Sequence, residues 1–241
     1  SILRNQAFTI LQDRQNPNTI YLGTNLGVYR SLDRGASWSP IAAPKTTPAK
    51  KAPAKKKTTA KAKTAAAPDP TATAAAKKVP VLKSVVRAVT FTNDGKNGIL
   101  AATDEGLYRT CNINAGWEKI AYAAGMNEQT FAIHASPAQP GTIWAGTAMS
   151  GVIVSKDDGV TWTAVNDVPR TLPISAIEID AQNPNRVYVG TTQTFYVSRD
   201  GGASFLRRGG SLPIGNFNSI LINPNNPNEV YVASSMDVRG G

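Results

Sequence analysis

Apolar and polar residues alternate along most of the chain in short runs, which is the pattern of half-buried β-strands. The runs at 19–22, 186–189 and 229–232 each follow a cluster of Asn and Pro residues that predicts a turn. Further alternating runs precede these blocks, as at 8–11, 131–133 and 176–179. Outside residues 43–83 no segment has the sustained periodicity of a helix, so the pattern predicts an all-β fold.

One block of sequence recurs along the chain. It reads NPNTIYLGTNLGVYRSLDRGASW at 16–38, QPGTIWAGTAMSGVIVSKDDGVTW at 139–162 and NPNRVYVGTTQTFYVSRDGGASF at 183–205. A weaker copy lies at 96–117, and a shortened copy lies at 226–241. One small residue marks the same place in each copy: Gly23, Ala102, Gly146, Gly190 and Ala233. The last three intervals are 44, 44 and 43 residues, and the first is longer by about 35 residues.

Each repeat contains four predicted strands, here called a, b, c and d in chain order. Four-stranded units that recur every 40–45 residues are typical of β-propeller blades. We therefore predict a β-propeller of four-stranded antiparallel blades, with four complete repeats and half of a fifth, as a fragment of a larger propeller. The predicted units are blade 1 (1–42), blade 2 (84–125), blade 3 (126–170), blade 4 (171–214) and half of blade 5 (215–241).

The segment 43–83, which separates the first two repeats, is rich in Lys, Ala and Pro and is predicted to be a disordered insertion. It contains 11 lysines and one acidic residue, which accounts for the whole net charge of +10. The remainder has 15 basic and 15 acidic residues, so its charge does not indicate a nucleic-acid binder. The insertion is either a solubilising loop or a nonspecific, salt-sensitive tether for an anionic partner.

The turns between strands c and d carry the sequence S-x-D-x-G-x-x-W, at 31–38, 155–162 and, with Phe in place of Trp, at 198–205. These turns resemble the Asp box, or BNR repeat, of sialidases, sortilin-type receptors, xyloglucan-cleaving glycosidases and photosystem II assembly-factor propellers. The copy at 110–117 is degenerate, with Asn112 in place of the Asp and Asn114 in place of the Gly. The phrasing of the whole repeat most resembles the assembly-factor-like branch.

The chemistry of the Asp box predicts a structural role. A short carboxylate accepts backbone N–H groups across the turn, the Gly takes a positive φ, and the aromatic ring is buried between neighbouring outer strands. None of these interactions needs a ligand. The predicted structural residues are Ser31, Asp33, Gly35, Trp38, Asn112, Trp117, Ser155, Asp157, Gly159, Trp162, Ser198, Asp200, Gly202 and Phe205.

The order of the strands places the a–b and c–d turns on one face of the propeller and the b–c and d–a loops on the other. In the propellers that this chain resembles, ligands meet the second face or the central channel. Its b–c loops lie at 24–27, 103–106, 147–151, 191–194 and 234–237. The candidate ligand-face residues in these loops are Asn25, Asp104, Glu105, Met149 and Gln193.

Several enzyme classes lack support in the sequence. Asp104 and Glu105 are the only adjacent carboxylates on the candidate ligand face, and a glycosidase needs two carboxyl groups held apart across a cleft. The arginine signature of sialidases is absent, and lone His134 lies in an apolar run that suits a packed histidine. No metal or cofactor motif is present, and the single cysteine, Cys111, allows no internal disulfide.

We therefore expect a non-enzymatic binding or assembly scaffold with a protein or glycan partner and no cofactor. The alternative is an Asp-box glycoside hydrolase, xyloglucanase-like rather than sialidase-like, with catalytic residues partly outside this fragment. The resemblance implies a periplasmic or secreted location, although no signal peptide is visible in these residues. No run of 18 apolar residues is present, so no membrane-spanning segment is predicted.

Overall fold

The computed structural model describes residues 6–41 and 78–235, except for residues 14, 96, 97, 114, 137, 209, 211 and 213. The described residues form strands and turns, with no helix among them. Most of the Lys-rich insertion, and with it the expectation of an anionic partner, lies outside the described residues.

The first two sheets lie on either side of the insertion. Blade 1 consists of β1 (Ala7–Gln12), β2 (Ile20–Thr24), β3 (Gly27–Ser31) and β4 (Ser39–Pro40). Blade 2 consists of β5 (Lys78–Val79), β6 (Val86–Phe91), β7 (Ile99–Thr103), β8 (Gly106–Thr110) and β9 (Trp117–Ile120).

Three further sheets follow without interruption. Blade 3 consists of β10 (Thr130–Ala135), β11 (Ile143–Thr147), β12 (Val152–Ser155) and β13 (Thr163–Ala164). Blade 4 consists of β14 (Ile174–Ile179), β15 (Val187–Thr191), β16 (Phe195–Ser198) and β17 (Leu206–Arg207). The last pair, called blade 5, is β18 (Asn216–Ile222) and β19 (Val230–Ser235).

In blades 1 to 4, consecutive strands pair antiparallel in the order a, b, c, d, with β5 added beyond strand d of blade 2, and the described part of blade 5 consists of strands a and b. The c–d turns, which carry the S-x-D-x-G sequence, therefore lie at the same end of each sheet as the a–b turns. We call this end the box face, and the opposite end, with its b–c turns and connections between blades, the loop face. Strand a of each blade contacts strand a of the next, so the a strands form the inner wall of the array.

Every described a strand contains a bulge, which follows the first paired residue in blades 1 to 4 and the second, Phe217, in blade 5. In blades 2, 3 and 4 the residue before the bulge is fully buried, namely Val86, Thr130 and Ile174. The following residue, Arg87 in blade 2 and Phe131 in blade 3, is only half-buried. Because the extra residue shifts the alternation of side chains, the bulge re-aims this second position.

The apolar core is divided into four clusters, and each cluster is shared by two consecutive blades. In the first four repeats the small residue that marks the repeat lies at these junctions, whereas Ala233 of blade 5 is exposed. A Cβ atom at Gly190, for example, would collide with the carbonyl oxygen of Phe217 in the next blade. The repeat therefore keeps a small residue on strand b because the following blade approaches the backbone there.

Blade 2 has a fifth strand that the sequence analysis did not predict. In β5, Lys78 and Val79 pair antiparallel with Glu118 and Trp117 at the outer edge of the blade. Leu82 is only 3% exposed in the core between blades 1 and 2. Residues 78–83, which the sequence analysis assigned to the insertion, thus pack against the blades.

Candidate functional site

Each b–c turn on the loop face is built on a buried threonine at the end of strand b. The hydroxyl of Thr24 donates to the carbonyl oxygen of Gly27 at 2.9 Å, and that of Thr103 donates to Gly106 at 2.7 Å. Thr147 and Thr191 make the same bond in blades 3 and 4. These threonines are not among the residues predicted from the sequence. The signal that could have identified them is the Gly-Thr or Ala-Thr pair that recurs at the end of strand b. The threonines give the loop face rigid turns.

The structure places the five candidate ligand-face residues on different blades. Asn25 lies in the b–c turn of blade 1, where its Oδ1 accepts the backbone N–H of Gln6 at 2.9 Å. Met149 and Gln193 are exposed on blades 3 and 4. Asp104 and Glu105 share the b–c turn of blade 2, but only Glu105 is exposed.

Arg87 occupies the second position of strand a in blade 2 and binds Asp104. Its Nε and Nη2 donate to the two carboxylate oxygens of Asp104 at 2.9 and 3.0 Å. The guanidinium also lies over the rings of Phe8 in blade 1 and Phe131 in blade 3, 5.1 and 5.4 Å from their centroids. Cation–π contacts and a bidentate ion pair together fix this guanidinium among three blades.

His134 lies on strand a of blade 3. Its Nδ1 is 3.4 Å from Oε2 of Glu178, at the equivalent position of blade 4. Both side chains are partly exposed on the inner strands. This pair connects two neighbouring a strands on the wall that bounds the centre of the array.

A cleft of about 300 Å³ opens on the loop face between blades 4 and 5. The b–c turn of blade 4 contributes Gln193 and Thr194, and the connection to blade 5 contributes Gly210, Leu212 and Ile214. Phe217 and Arg207 complete the lining. Of the candidate ligand-face residues, Gln193 is the one that lines this cleft.

The turns at 31–38, 155–162 and 198–205, called box turns below, share one hydrogen-bond pattern. In the blade 3 turn, the backbone N–H and the hydroxyl of Thr161 donate to the two carboxylate oxygens of Asp157, at 2.8 and 2.6 Å. The hydroxyl of Ser155 donates to the same carboxylate at 2.8 Å and accepts the N–H of Gly159. The Asp carboxylate is thus used within its own turn, and the same bonds recur around Asp33 and Asp200.

These bonds stabilise the ionised carboxylates. The hydrogen bond from the Thr161 hydroxyl, followed by those from the Thr161 backbone and the Ser155 hydroxyl, lowers the pKa of Asp157 to about 2. The equivalent bonds lower the pKa of Asp33 and of Asp200 to about 2 as well. Carboxyl groups with so low a pKa are poor proton donors at neutral pH.

The box-turn rings pack against the preceding blade. Trp162 of blade 3 belongs to the core cluster that contains Leu100 and Ile120 of blade 2, and its ring meets that of Tyr122 edge to face at 4.8 Å. Phe205 likewise packs in the cluster that contains Trp144 of blade 3. Trp38 of blade 1 is half-buried and belongs to none of the four core clusters of the described residues.

The degenerate turn of blade 2 accommodates the extra strand. At Gly116, a Cβ atom would lie 2.6 Å from the carbonyl oxygen of Val79 in β5. Trp117, the aromatic residue of this turn, is fully buried between blades 1 and 2. The predicted ring position is therefore kept, while the turn around it has adapted to β5.

In the described ranges, no group of three His, Cys, Asp or Glu side chains is placed to hold a metal ion. Within those same ranges, no helix is long and apolar enough to cross a membrane.

Comparison with known proteins gave matches in structure only. No family model matches the chain, and no curated protein matches it. Among solved structures, the GH74 xyloglucanase of Xanthomonas campestris is 16% identical over 95% of this chain, with a TM-score of 0.63. YCF48 bound to a D1 peptide is 16% identical over 95% of this chain, with a TM-score of 0.57. Sequence identities this low support a shared fold and say nothing about a shared function.

The fold is a β-propeller. This confirms the fold class that the repeats predicted and the resemblance to GH74 and assembly-factor propellers. A third similar structure is the extracellular domain of a putative hybrid two-component system of B. thetaiotaomicron, 13% identical over 95% of this chain, with a TM-score of 0.64. The chain spans 35% of the xyloglucanase, 62% of YCF48 and 26% of the two-component protein.

Proposed function

We propose that this propeller is a non-enzymatic binding or assembly scaffold whose partner, a segment of another protein, contacts the loop face. The observation that carries the proposal is the fixed group formed by Arg87, Asp104, Phe8 and Phe131. Arginine and aromatic side chains held in place are the residues that dominate protein interfaces. A rigid scaffold also lowers the entropic cost of binding.

The state of Asp104 favours binding over hydrolysis. A glycosidase needs one carboxyl group as acid and a second as base or nucleophile. Both oxygens of Asp104 already accept hydrogen bonds from Arg87, so this carboxylate is committed to an ion pair. Glu105, the adjacent acid, is exposed on the same turn.

The similar structures provide precedents for both a binding function and glycoside hydrolysis. YCF48 was solved with a D1 peptide bound, so a propeller with this fold can hold a peptide. The GH74 enzymes show that the same fold can also carry glycoside hydrolysis. The choice between peptide binding and glycoside hydrolysis therefore depends on the chemistry of the loop face.

The test compares the loop face with the box face, each of which has two exposed apolar residues that can be replaced by serine. Random linear peptides are selected on the purified chain, and their affinity is then measured for two double variants by isothermal titration. Leu26→Ser with Met149→Ser alters the loop face, whereas Leu32→Ser with Val160→Ser alters the box face; all four residues are exposed. We expect about a tenfold loss of affinity with the first pair and no change with the second.

The opposite results would overturn the proposal. Equal losses from both pairs would remove the preference for the loop face. Cleavage of xyloglucan or a sialoside by the purified chain, abolished by Asp104→Ala or Glu105→Ala, would establish the hydrolase instead.

We further propose that the protein works outside the cytoplasm, as a periplasmic or secreted protein. The support is its structural similarity to the extracellular domain of the two-component protein of B. thetaiotaomicron. Cell fractionation with an antibody against the propeller checks this location. Recovery of the natural protein with cytoplasmic markers would contradict it.

A further inference from the structure

The cleft between blades 4 and 5 combines an apolar floor and walls with one cation. Phe217 at its floor is fully buried, whereas Leu212 and Ile214 are 46% and 74% exposed. None of the described residues that line the cleft is acidic. The volume of about 300 Å³ is at the lower end of the range for ligand pockets, so it suits one or two side chains.

Arg207 is held in a fixed orientation beside these apolar residues. Its Nε donates to Oγ1 of Thr194 at 3.0 Å, and Thr194 is itself buried in the b–c turn. The partner of Nε is a neutral hydroxyl, so the charge of Arg207 is not balanced by that contact. A planar guanidinium fixed at Nε still presents its two Nη groups to a carboxylate.

We propose that this cleft binds an extended peptide in which an apolar side chain is next to a carboxylate. The apolar side chain packs against Leu212 and Ile214, and the carboxylate accepts hydrogen bonds from Arg207. This inference rests on the proposed protein-binding function and specifies the chemistry of the segment that is recognised. Arg207 on strand d of blade 4, hydrogen-bonded to Thr194 of the b–c turn, supplies the polar contact, and the connection to blade 5 supplies the apolar one.

The test compares three blocked tetrapeptides by methyl NMR titration of the full chain. The probe is acetyl-Ala-Asp-Leu-Ala-amide, and the two controls replace its Asp with Asn or its Leu with Ala. We expect the probe to shift the methyl signals of Thr194, Leu212 and Ile214. We expect each control to bind about tenfold more weakly, because each lacks one of the two contacts.

Arginine variants separate the charge from other effects. Arg207→Gln is expected to abolish the preference for Asp over Asn, and Arg207→Lys is expected to restore part of it. The matched control is Arg34→Gln, because Arg34 on the box face is also held at Nε by a neutral side chain, that of Asn18 at 2.7 Å. This control should leave all three affinities unchanged.

The outcomes distinguish this inference from the broader function. Equal binding of the Asp and Asn peptides, shifts confined to other blades, or no shifts at about 10 mM peptide would overturn the cleft proposal. The selected random peptides and the face variants described above would still test protein binding independently. If those peptides bind the loop face while the tetrapeptide does not, only the cleft assignment fails.

Discussion

Blades 1 and 3 carry the same alternating pattern on strand a but bury it to different extents. Ile10 of blade 1 and Ile133 of blade 3 occupy equivalent positions, opposite Leu22 and Ala145 of strand b. Ile133 is 8% exposed, whereas Ile10 is 66% exposed. The equivalent residues Val89, Ile177 and Ile220 resemble Ile133, since each is 8% exposed or less.

The cause of the difference is the neighbouring blade. Ile133 packs in a cluster with Leu100 and Leu107 of blade 2, whereas Ile10 belongs to none of the four core clusters of the described residues. The side chains of one sheet therefore supply only half of each core. The same sequence pattern therefore contributes different amounts of stability in different blades, according to what packs against it.

The largest expected effect concerns the box-turn tryptophans. Trp162→Ala should lower the free energy of unfolding by about 3–5 kcal/mol, because a buried ring is removed from the blade 2–3 junction. Trp38→Ala should lower it by about 1–2 kcal/mol. Both indoles donate to a box-turn glycine carbonyl, at 3.1 and 3.0 Å, so the hydrogen bond is matched and only the packing differs. Urea unfolding measures both values, and equal losses would contradict the comparison.

A smaller difference is expected on strand a. Ile133→Ala should destabilise the chain by about 2–4 kcal/mol, because it leaves a cavity between two blades. Ile10→Ala should change the free energy of unfolding by no more than about 0.5 kcal/mol, since its side chain is largely in water. A large loss from Ile10→Ala would show that another surface covers blade 1 in solution.

The pH dependence of the box turns should be the same in both blades. Asp33 and Asp157 have pKa values lowered to about 2 by bonds within their own turns, which do not involve a neighbouring blade. A carboxyl whose pKa is lower in the folded state stabilises the fold above its unfolded pKa of about 4, and this contribution is lost as the pH falls towards 2. Asp33→Asn and Asp157→Asn should therefore reduce the acid dependence of stability equally.

Two measurements check this expectation. Carboxyl NMR titration should give both aspartates a pKa near 2, and unfolding curves between about pH 4 and pH 2 should lose the same slope in each variant. A normal pKa for Asp33 alone would mean that the turn needs its preceding blade. We also propose that these carboxylates are structural, so Asp157→Ala should lower the unfolding midpoint but leave peptide affinity unchanged.

The smallest expected effect concerns the insertion. Replacement of residues 45–76 by a flexible linker of about 12 residues should leave the unfolding midpoint nearly unchanged, because loop closure depends weakly on length. Extending the replacement to residue 83 should lower the midpoint, since it removes β5 and the buried Leu82. Differential scanning calorimetry compares the two. Equal midpoints would show that β5 adds nothing to blade 2.

Much of the fold could be predicted from the sequence because its information is local and repeated. The small residue at Gly146 and Gly190 and the turn clusters recur at a fixed period, and the strands lie between them. β5 could not be predicted, since Lys78 and Val79 lie at the end of a Lys/Ala/Pro-rich segment without a strand pattern. Its partner strand, not its own composition, determines its conformation.

Less of the candidate site than of the fold could be predicted from the sequence. Asp104 is predicted on the loop face, but its partner Arg87 lies 17 residues earlier, on strand a, and no motif in the sequence connects the two. The bulge in strand a brings the side chains of Arg87 and Asp104 together. Its single extra residue changes the alternation of apolar and polar residues too little to be recognised in the sequence. The cleft around Arg207 depends on two separate loops, so only the packing of blade 5 against blade 4 creates it.

The bulge in strand a has a consequence for how such proteins diversify. It places a fully buried residue, such as Val86, Thr130 or Ile174, next to a residue that the core does not constrain. That second residue is a cation in blade 2, an aromatic ring in blade 3 and a hydroxyl, Ser175, in blade 4. Single substitutions at this second position can therefore change the chemistry of the inner wall near the loop face, while the buried residue beside it keeps its place in the core.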